Sequence, residues 1–213
     1  MKNVKEQVHL IFVVDVSTSL DTVGSKLNQS LKDFHNILME KDDFKRYDIY
    51  LTLITFNELM NVKVDFKPIG SVSTDTFNLS YYGCTNPAPA LEYAVNSARE
   101  HVFQWKKAGY NRFKPFIFFF TDGSPNECYK EEYEKIAKEI KKKEAEDFVF
   151  VAAGYGYTEV ENLSLATENI ILMERNEGKL EKMFRQLLPR TLLTSMTGTA
   201  DQMRRGFRIF NMR

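Results

Sequence analysis

The segment Val8-His9-Leu10-Ile11-Phe12-Val13-Val14 is an almost unbroken run of branched and aromatic residues that stops at an aspartate, Asp15. A strand exposed on one face alternates with polar residues. A run of this kind is covered on both faces, which in α/β proteins marks a central strand of a parallel sheet. Residues 116–120, Phe-Ile-Phe-Phe-Phe, repeat the pattern and end at Thr121-Asp122-Gly123-Ser124-Pro125, where turn chemistry takes over. Two buried strands thus each deliver a carboxylate at the carboxyl end.

The segments between the strands supply crossovers. Val23, Leu27, Leu31, Phe34 and Leu38 recur at three- and four-residue spacing and predict an amphipathic helix after the first strand. Residues 48–56 read as the next strand. Residues 62–66 alternate like a half-exposed edge strand reached by a hairpin, with residues 57–61 as its turn. Pro87 and Pro89 suit the opening of a helix whose inner face is Leu91, Ala94, Val95, Ala98 and Val102. Tyr133, Ile136, Ala137 and Ile140 mark another, with Lys141-Lys142-Lys143-Glu144 as its solvated continuation. Residues 148–153 and 169–173 are further strands. Leu180, Met183, Phe184, Leu187 and Leu188 form a last helix that Pro189 is expected to close.

Strands alternating with helices predict an α/β fold: a single doubly wound, mainly parallel sheet with one antiparallel edge strand and helices on both faces. The 213 residues suit one domain, here residues 1–190, followed by a basic extension, residues 191–213. That extension holds Arg204, Arg205, Arg208 and Arg213 beside Phe207, Ile209 and Phe210. It reads as a terminus that tucks Phe207 or Phe210 against the domain, since one short arginine cluster does not make a nucleic-acid arm.

The formal net charge is zero, so no global field draws the chain to nucleic acid or to an anionic membrane. The apolar runs fall short of the roughly 20 residues that span a bilayer, and no export signal is visible at the start. Cys84 and Cys128 are the only cysteines of a chain too large to need disulfide staples, which fits a reducing compartment, the cytoplasm. Both flank loops at the end of the sheet where the carboxylates emerge.

In an open parallel sheet, ligands bind outside the carboxyl ends of the strands, where loops and helix N-termini converge. There the first strand leads into Asp15-Val16-Ser17-Thr18-Ser19, the strand at 116–120 delivers Asp122, and the loop Gly83-Cys84-Thr85-Asn86 offers a further hydroxyl. Carboxylates and hydroxyls without a nearby thiolate or imidazole suit a hard cation: Mg²⁺ foremost, with Mn²⁺ and Ca²⁺ as the other candidates. Taken alone, Ser17 or Ser19 could equally cap the helix that follows. His9, His35 and His101 have no partner at ligand spacing and read as structural.

The three oxygen-bearing loops resemble the metal-ion-dependent adhesion site of the von Willebrand factor A family, in its pattern of Asp-x-Ser-x-Ser, a loop threonine and an Asp often followed by Gly. Asp15, Ser17 and Ser19 match the first part, Thr85 the second and Asp122 the third. Within the family, residues 54–56, 120–125 and 150–156 are similar to the TerY-like proteins of bacterial tellurium-resistance and stress operons. The resemblance implies that Ser17, Ser19 and Thr85 contact the cation directly or through water and that Asp15 and Asp122 act mainly through water. It further implies a vacant position on the ion for an acidic side chain of a protein partner, a kinase or phosphatase of such an operon among the candidates. Thr18 and Cys84 stand where the family often has glycine, and the end of the chain shows no clear tryptophan-containing strand.

Two other functions compete with an adaptor. One is a metal-dependent phosphatase or hydrolase: an aspartyl-nucleophile phosphatase would need a second carboxylate two residues after Asp15, where Ser17 stands, and no phosphate-cradling or nucleophile-elbow motif occurs. A metal-free scaffold is the remaining alternative. Near the loops, Asn126 and Glu127 either line the rim or begin a helix, and Tyr81-Tyr82 either meet a partner or cover the sheet end.

Overall fold

The computed structural model of the chain describes residues 6–108, 113–144, 146–156, 158–197 and 210–212. The strands are β1 (Glu6–Asp15), β2 (Tyr47–Phe56), β3 (Met60–Pro68), β4 (Phe116–Thr121), β5 (Val149–Tyr155), β6 (Ile170–Met173) and β7 (Phe210–Met212). They form one sheet in the order β3-β2-β1-β4-β5-β6-β7. β2 and β3 pair antiparallel and all other neighbours pair parallel. The helices are α1 (Gly24–Glu40), α2 (Asp42–Lys45), α3 (Ala88–Ala108), α4 (Lys130–Lys143), α5 (Val160–Ser164), α6 (Glu177–Lys182) and α7 (Leu188–Thr197).

Alternate residues of each central strand face opposite ways, so β1 feeds two cores. Leu10, Phe12 and Val14 pack with Leu27, Leu31 and Phe34 of α1 and with Phe184 and Leu188. Ile11 and Val13 pack with Leu91, Ala94 and Ala98 of α3 and Ile136 and Ile140 of α4. Both faces of the sheet are covered by helices, as the unbroken apolar strands required. The chain leaves β1 toward β2 over one face and returns through α3 over the other to reach β4. The sheet order reverses between β1 and β4, and that opens a crevice at their carboxyl ends.

Three elements depart from the sequence expectation. The helix after β1 begins as a 3₁₀ turn, Thr18–Val23, before α1 proper. Glu144 is only partly solvated: its carboxylate accepts from Thr167 Oγ1 at 2.7 Å and Asn169 Nδ2 at 2.5 Å, which ties the end of α4 to the entry of β6. Pro189 does not close the last helix. A π-helical segment, Met183–Leu187, widens the helix just ahead of the ring, relieving the clash that proline makes with the preceding turn, and α7 runs on to Thr197. Its Leu192 and Met196 join the core, so the segment expected as an extension begins as packed helix. Phe210 pairs in β7 against Ile171, while Phe207 and the four arginines lie outside the described residues.

The outer edge, β3, is irregular. Two register shifts interrupt its pairing with β2, and Phe66 adopts a left-handed backbone, φ 45°, where its N–H turns to Thr52 Oγ1 at 3.1 Å. Its ring is stacked between Tyr50, 4.6 Å away, and His101, 3.5 Å away. His9 lies beneath, fully buried, with Nε2 at 2.9 Å from the same Thr52 hydroxyl. Burial, and then the nearby His101, hold its imidazole well below the usual histidine range.

Two outcomes follow for stability. Phe118 contacts Phe12 and Phe184 at ring distances of 5.4 and 5.9 Å, and Phe118→Ala should cost about 3–5 kcal/mol, read as a lower urea midpoint at unchanged slope. Burial pushes the Glu144 carboxyl up to about 6, so the folded state binds its proton more readily than the unfolded chain, and this group favours folding more as pH falls. Glu144→Gln should therefore gain stability relative to wild type as pH rises from 5 to 7. A flat difference across that window would contradict it.

Candidate metal centre

Parallel pairing sets the geometry of the crevice. Val14 lies opposite Phe120, so Asp15 and Thr121 leave the sheet side by side. Thr121 Oγ1 donates to Asp15 Oδ2 at 2.7 Å, and the Ser17 backbone N–H donates to Asp15 Oδ1 at 2.8 Å. Asp15 is fully buried. Desolvation pushes its carboxyl up to about 6, against the lowering effect of those hydrogen bonds. A carboxylate so placed gains from a cation beside it.

Ser17 stands at the N-cap position of the 3₁₀ turn, yet its side chain makes no capping hydrogen bond. Its hydroxyl lies 3.1 Å from that of Ser19, which donates to Asp122 Oδ1 at 2.6 Å. The capping alternative for these serines therefore does not hold. Adjacent ligands of an octahedral Mg²⁺ at about 2.0–2.1 Å stand about 2.9 Å apart, close to the spacing of the two hydroxyls. The donor set consists of hard oxygens, and among the described residues no group of three His, Cys, Asp or Glu forms a site of another kind. The residues fit a hard divalent cation.

Four of the five residues singled out from sequence, Asp15, Ser17, Ser19 and Asp122, are brought together in this chain of contacts. Thr85 arrives by backbone. Its N–H donates to Asn126 Oδ1 at 2.7 Å and its carbonyl accepts from Asn126 N–H at 3.0 Å, while Thr18 N–H donates to Gly83 O at 3.1 Å. It borders a small cavity with Thr121, Gly123 and Pro125. No hydrogen bond joins its hydroxyl to the other four. Asn126 thus does both: it stands at the N-cap position of the 3₁₀ turn Glu127–Tyr129 that leads into α4, as a helix start requires, while its side chain, free of any capping bond, clamps the Thr85 loop.

The two departures from the family pattern are accommodated. The left-handed residue of the Thr85 loop is Gly83, φ 79°, and a Cβ there would lie 2.1 Å from Glu58 Oε2, so Cys84 is not asked for a glycine conformation. The Cys84 N–H donates to that carboxylate at 2.7 Å. Thr18 adds a hydroxyl bond to Gly83 O at 3.2 Å. The tyrosine pair divides: Tyr81 turns in, its hydroxyl donating to Asn28 Oδ1 at 2.7 Å, while Tyr82 is 60% exposed.

Two contacts at the site were not anticipated. Thr121 sits within the quoted motif, and a hydroxyl at the end of a strand neighbouring Asp15 was the available signal. Arg175, in the loop between β6 and α6, donates from one terminal nitrogen to Asp122 Oδ2 at 2.7 Å and to Ser19 O at 3.2 Å. Nothing in its local sequence marks it.

A comparison with curated proteins gave no match. Among solved structures, the chain is similar to proximal thread matrix protein 1 from the mussel byssus, at 18% identity and TM-score 0.60, over 86% of this chain and 46% of that one. A second structure of that protein, described as having a zinc-occupied MIDAS motif, aligns at 17% identity and TM-score 0.60, over 86% of this chain and 45% of that one. The pilus adhesin SpaC from Lactobacillus rhamnosus GG aligns at 14% identity and TM-score 0.65, over 89% of this chain and 30% of that one. The chain spans less than half the length of these structures, and at such identities the likeness shows the fold. The model of the von Willebrand factor type A domain matches residues 9–186. With most of the chain so matched, and with the doubly wound sheet to go with it, the protein belongs to the von Willebrand factor type A domain family.

Proposed function

We propose that the protein is an adaptor that holds a divalent cation, Mg²⁺ foremost and Mn²⁺ or Ca²⁺ as alternatives, at Asp15, Ser17, Ser19, Thr85 and Asp122, and uses it to clasp an acidic side chain of a protein partner. The observation that carries this is the pair of serine hydroxyls, 3.1 Å apart, left uncommitted to capping and set between two buried carboxylates. A bound cation supplies an electrophilic position for a carboxylate oxygen. The chain's own residues do the rest. Thr121 and the Ser17 N–H orient Asp15, Ser19 and Arg175 hold Asp122, and Asn126 sets the Thr85 loop.

The rim supports a protein partner. Leu59, 72% exposed, tops the β2–β3 turn and Tyr82 the neighbouring loop, joined by Asn57 Nδ2 donating to Tyr82 O at 3.0 Å and Asn57 Oδ1 accepting from Leu59 N–H at 2.9 Å. Exposed apolar and aromatic side chains such as these offer contact area of the kind protein interfaces draw on, tyrosine being enriched there. By its TerY-like segments we place the protein in bacterial tellurium-resistance or stress signalling, in the cytoplasm, with a kinase or phosphatase of the operon as partner. No helix of the described residues is long and apolar enough to cross a membrane. We assign it no catalysis, since Ser17 occupies the position where an aspartyl-phosphate enzyme needs an acid.

Calorimetric titration with Mg²⁺ and Mn²⁺ tests the site. Wild type should bind, and Asp15→Ala should bind at least about tenfold more weakly; equal binding by the two proteins would remove the metal from the proposal. Thr121→Val strips Asp15 Oδ2 of its donor and should cost about 1–3 kcal/mol in thermal unfolding without metal.

A further inference from the structure

Arg175 reaches the metal centre along a prepared path. The Gly156 N–H donates to Met173 O at 2.7 Å, which draws the turn after β5 against the end of β6. Gly156 has φ 82°, and a Cβ on it would come 2.8 Å from Arg175 Cγ and 2.9 Å from Nε. The arginine stem therefore lies across a residue that must be glycine both for its backbone and for the space above it. At the far end the guanidinium meets Asp122 Oδ2 at 2.7 Å, while Asp122 Oδ1 is held by Ser19. The Asp122 side chain is fully enclosed and that of Arg175 is 42% exposed, so the arginine forms the solvent side of the pair.

We infer that Arg175 is an internal counter-cation of the centre, which weakens its grip on the divalent ion and leaves the loaded centre with a surplus positive charge for an anionic partner. The inference rests on the metal reading above and specifies how the site is tuned. With Asp15 and Asp122 ionised, Arg175 reduces the charge of the empty centre from two negative to one. A divalent ion then makes the centre net positive rather than neutral, so a carboxylate is attracted by the centre as a whole. The same guanidinium competes with the ion for Asp122. The arginine trades cation affinity for anion affinity, and its removal moves the two in opposite directions.

The test uses Mn²⁺ alone, followed by electron paramagnetic resonance of the free ion, and then acetate added at saturating Mn²⁺, followed by water-proton relaxation. Arg175→Gln should bind Mn²⁺ roughly tenfold more tightly than wild type or better, and should need about ten times more acetate to displace metal-bound water. Arg175→Lys, which keeps the charge, should stay near wild type. Arg175→Met, which keeps the stem across Gly156, is the second neutral variant should Arg175→Gln fold poorly. A wild type that fails to bind Mn²⁺ beside a neutral variant that binds it would support the inference. Unchanged or weaker Mn²⁺ binding in the neutral variants, with wild type binding, overturns it and leaves the metal reading standing. An unchanged acetate dependence overturns the anion part. Loss of Mn²⁺ binding in every protein overturns both.

Discussion

The parallel pairing of β1 with β4 is the contact on which the rest of the molecule depends. Val14 opposite Phe120 places Asp15 beside Thr121 and one residue from Asp122, and both strands are buried on both faces, so neither can slip. A one-residue shift would turn Phe12, Phe118 and Phe120 out of one core and into the other. The register that satisfies the hydrophobic cores is thus the register that assembles the oxygen cluster. Stability and site geometry are not separate constraints here.

Much of this was legible beforehand because strand ends are. Asp15 and Asp122 follow apolar runs, and a residue that follows such a run can only be at the mouth of the sheet. Ser17 and Ser19 were legible as a pair, but their local sequence is equally that of a helix cap; only the absence of a cap bond on Ser17 separates the two. Thr85 depended on family resemblance, since its loop has no periodicity, and it is the residue whose hydroxyl the structure joins least to the others. Arg175 was invisible for a different reason: its contact depends on how the β6–α6 loop crosses Gly156, a long-range path no local pattern records. The same limit explains Glu144, which closes a charge run in sequence but folds against Thr167 and Asn169.

Helix breakers also read differently in place. Pro189 looked like an end because proline lacks the N–H that continues a helix. The chain instead loosened the preceding turn into a π segment and kept the apolar face of Leu188, Leu192 and Met196 on the sheet. Burial of that face outweighed the lost hydrogen bond, as expected when packing rather than propensity sets helix stability. Cys84 is the converse case, a residue that looked costly in a loop where its neighbour Gly83 carries the demanding conformation.

The two register shifts and the left-handed Phe66 make β3 a poor template for sheet growth. An edge strand normally offers a straight row of unpaired amides to any passing chain, and this one is bent, bulged and flanked outward by Lys63 and Lys67. Strand addition and open-ended self-assembly are discouraged along this border. On the function proposed above, a partner would then be selected by the chemistry of one small point at the carboxyl ends of the strands rather than by backbone complementarity along this edge.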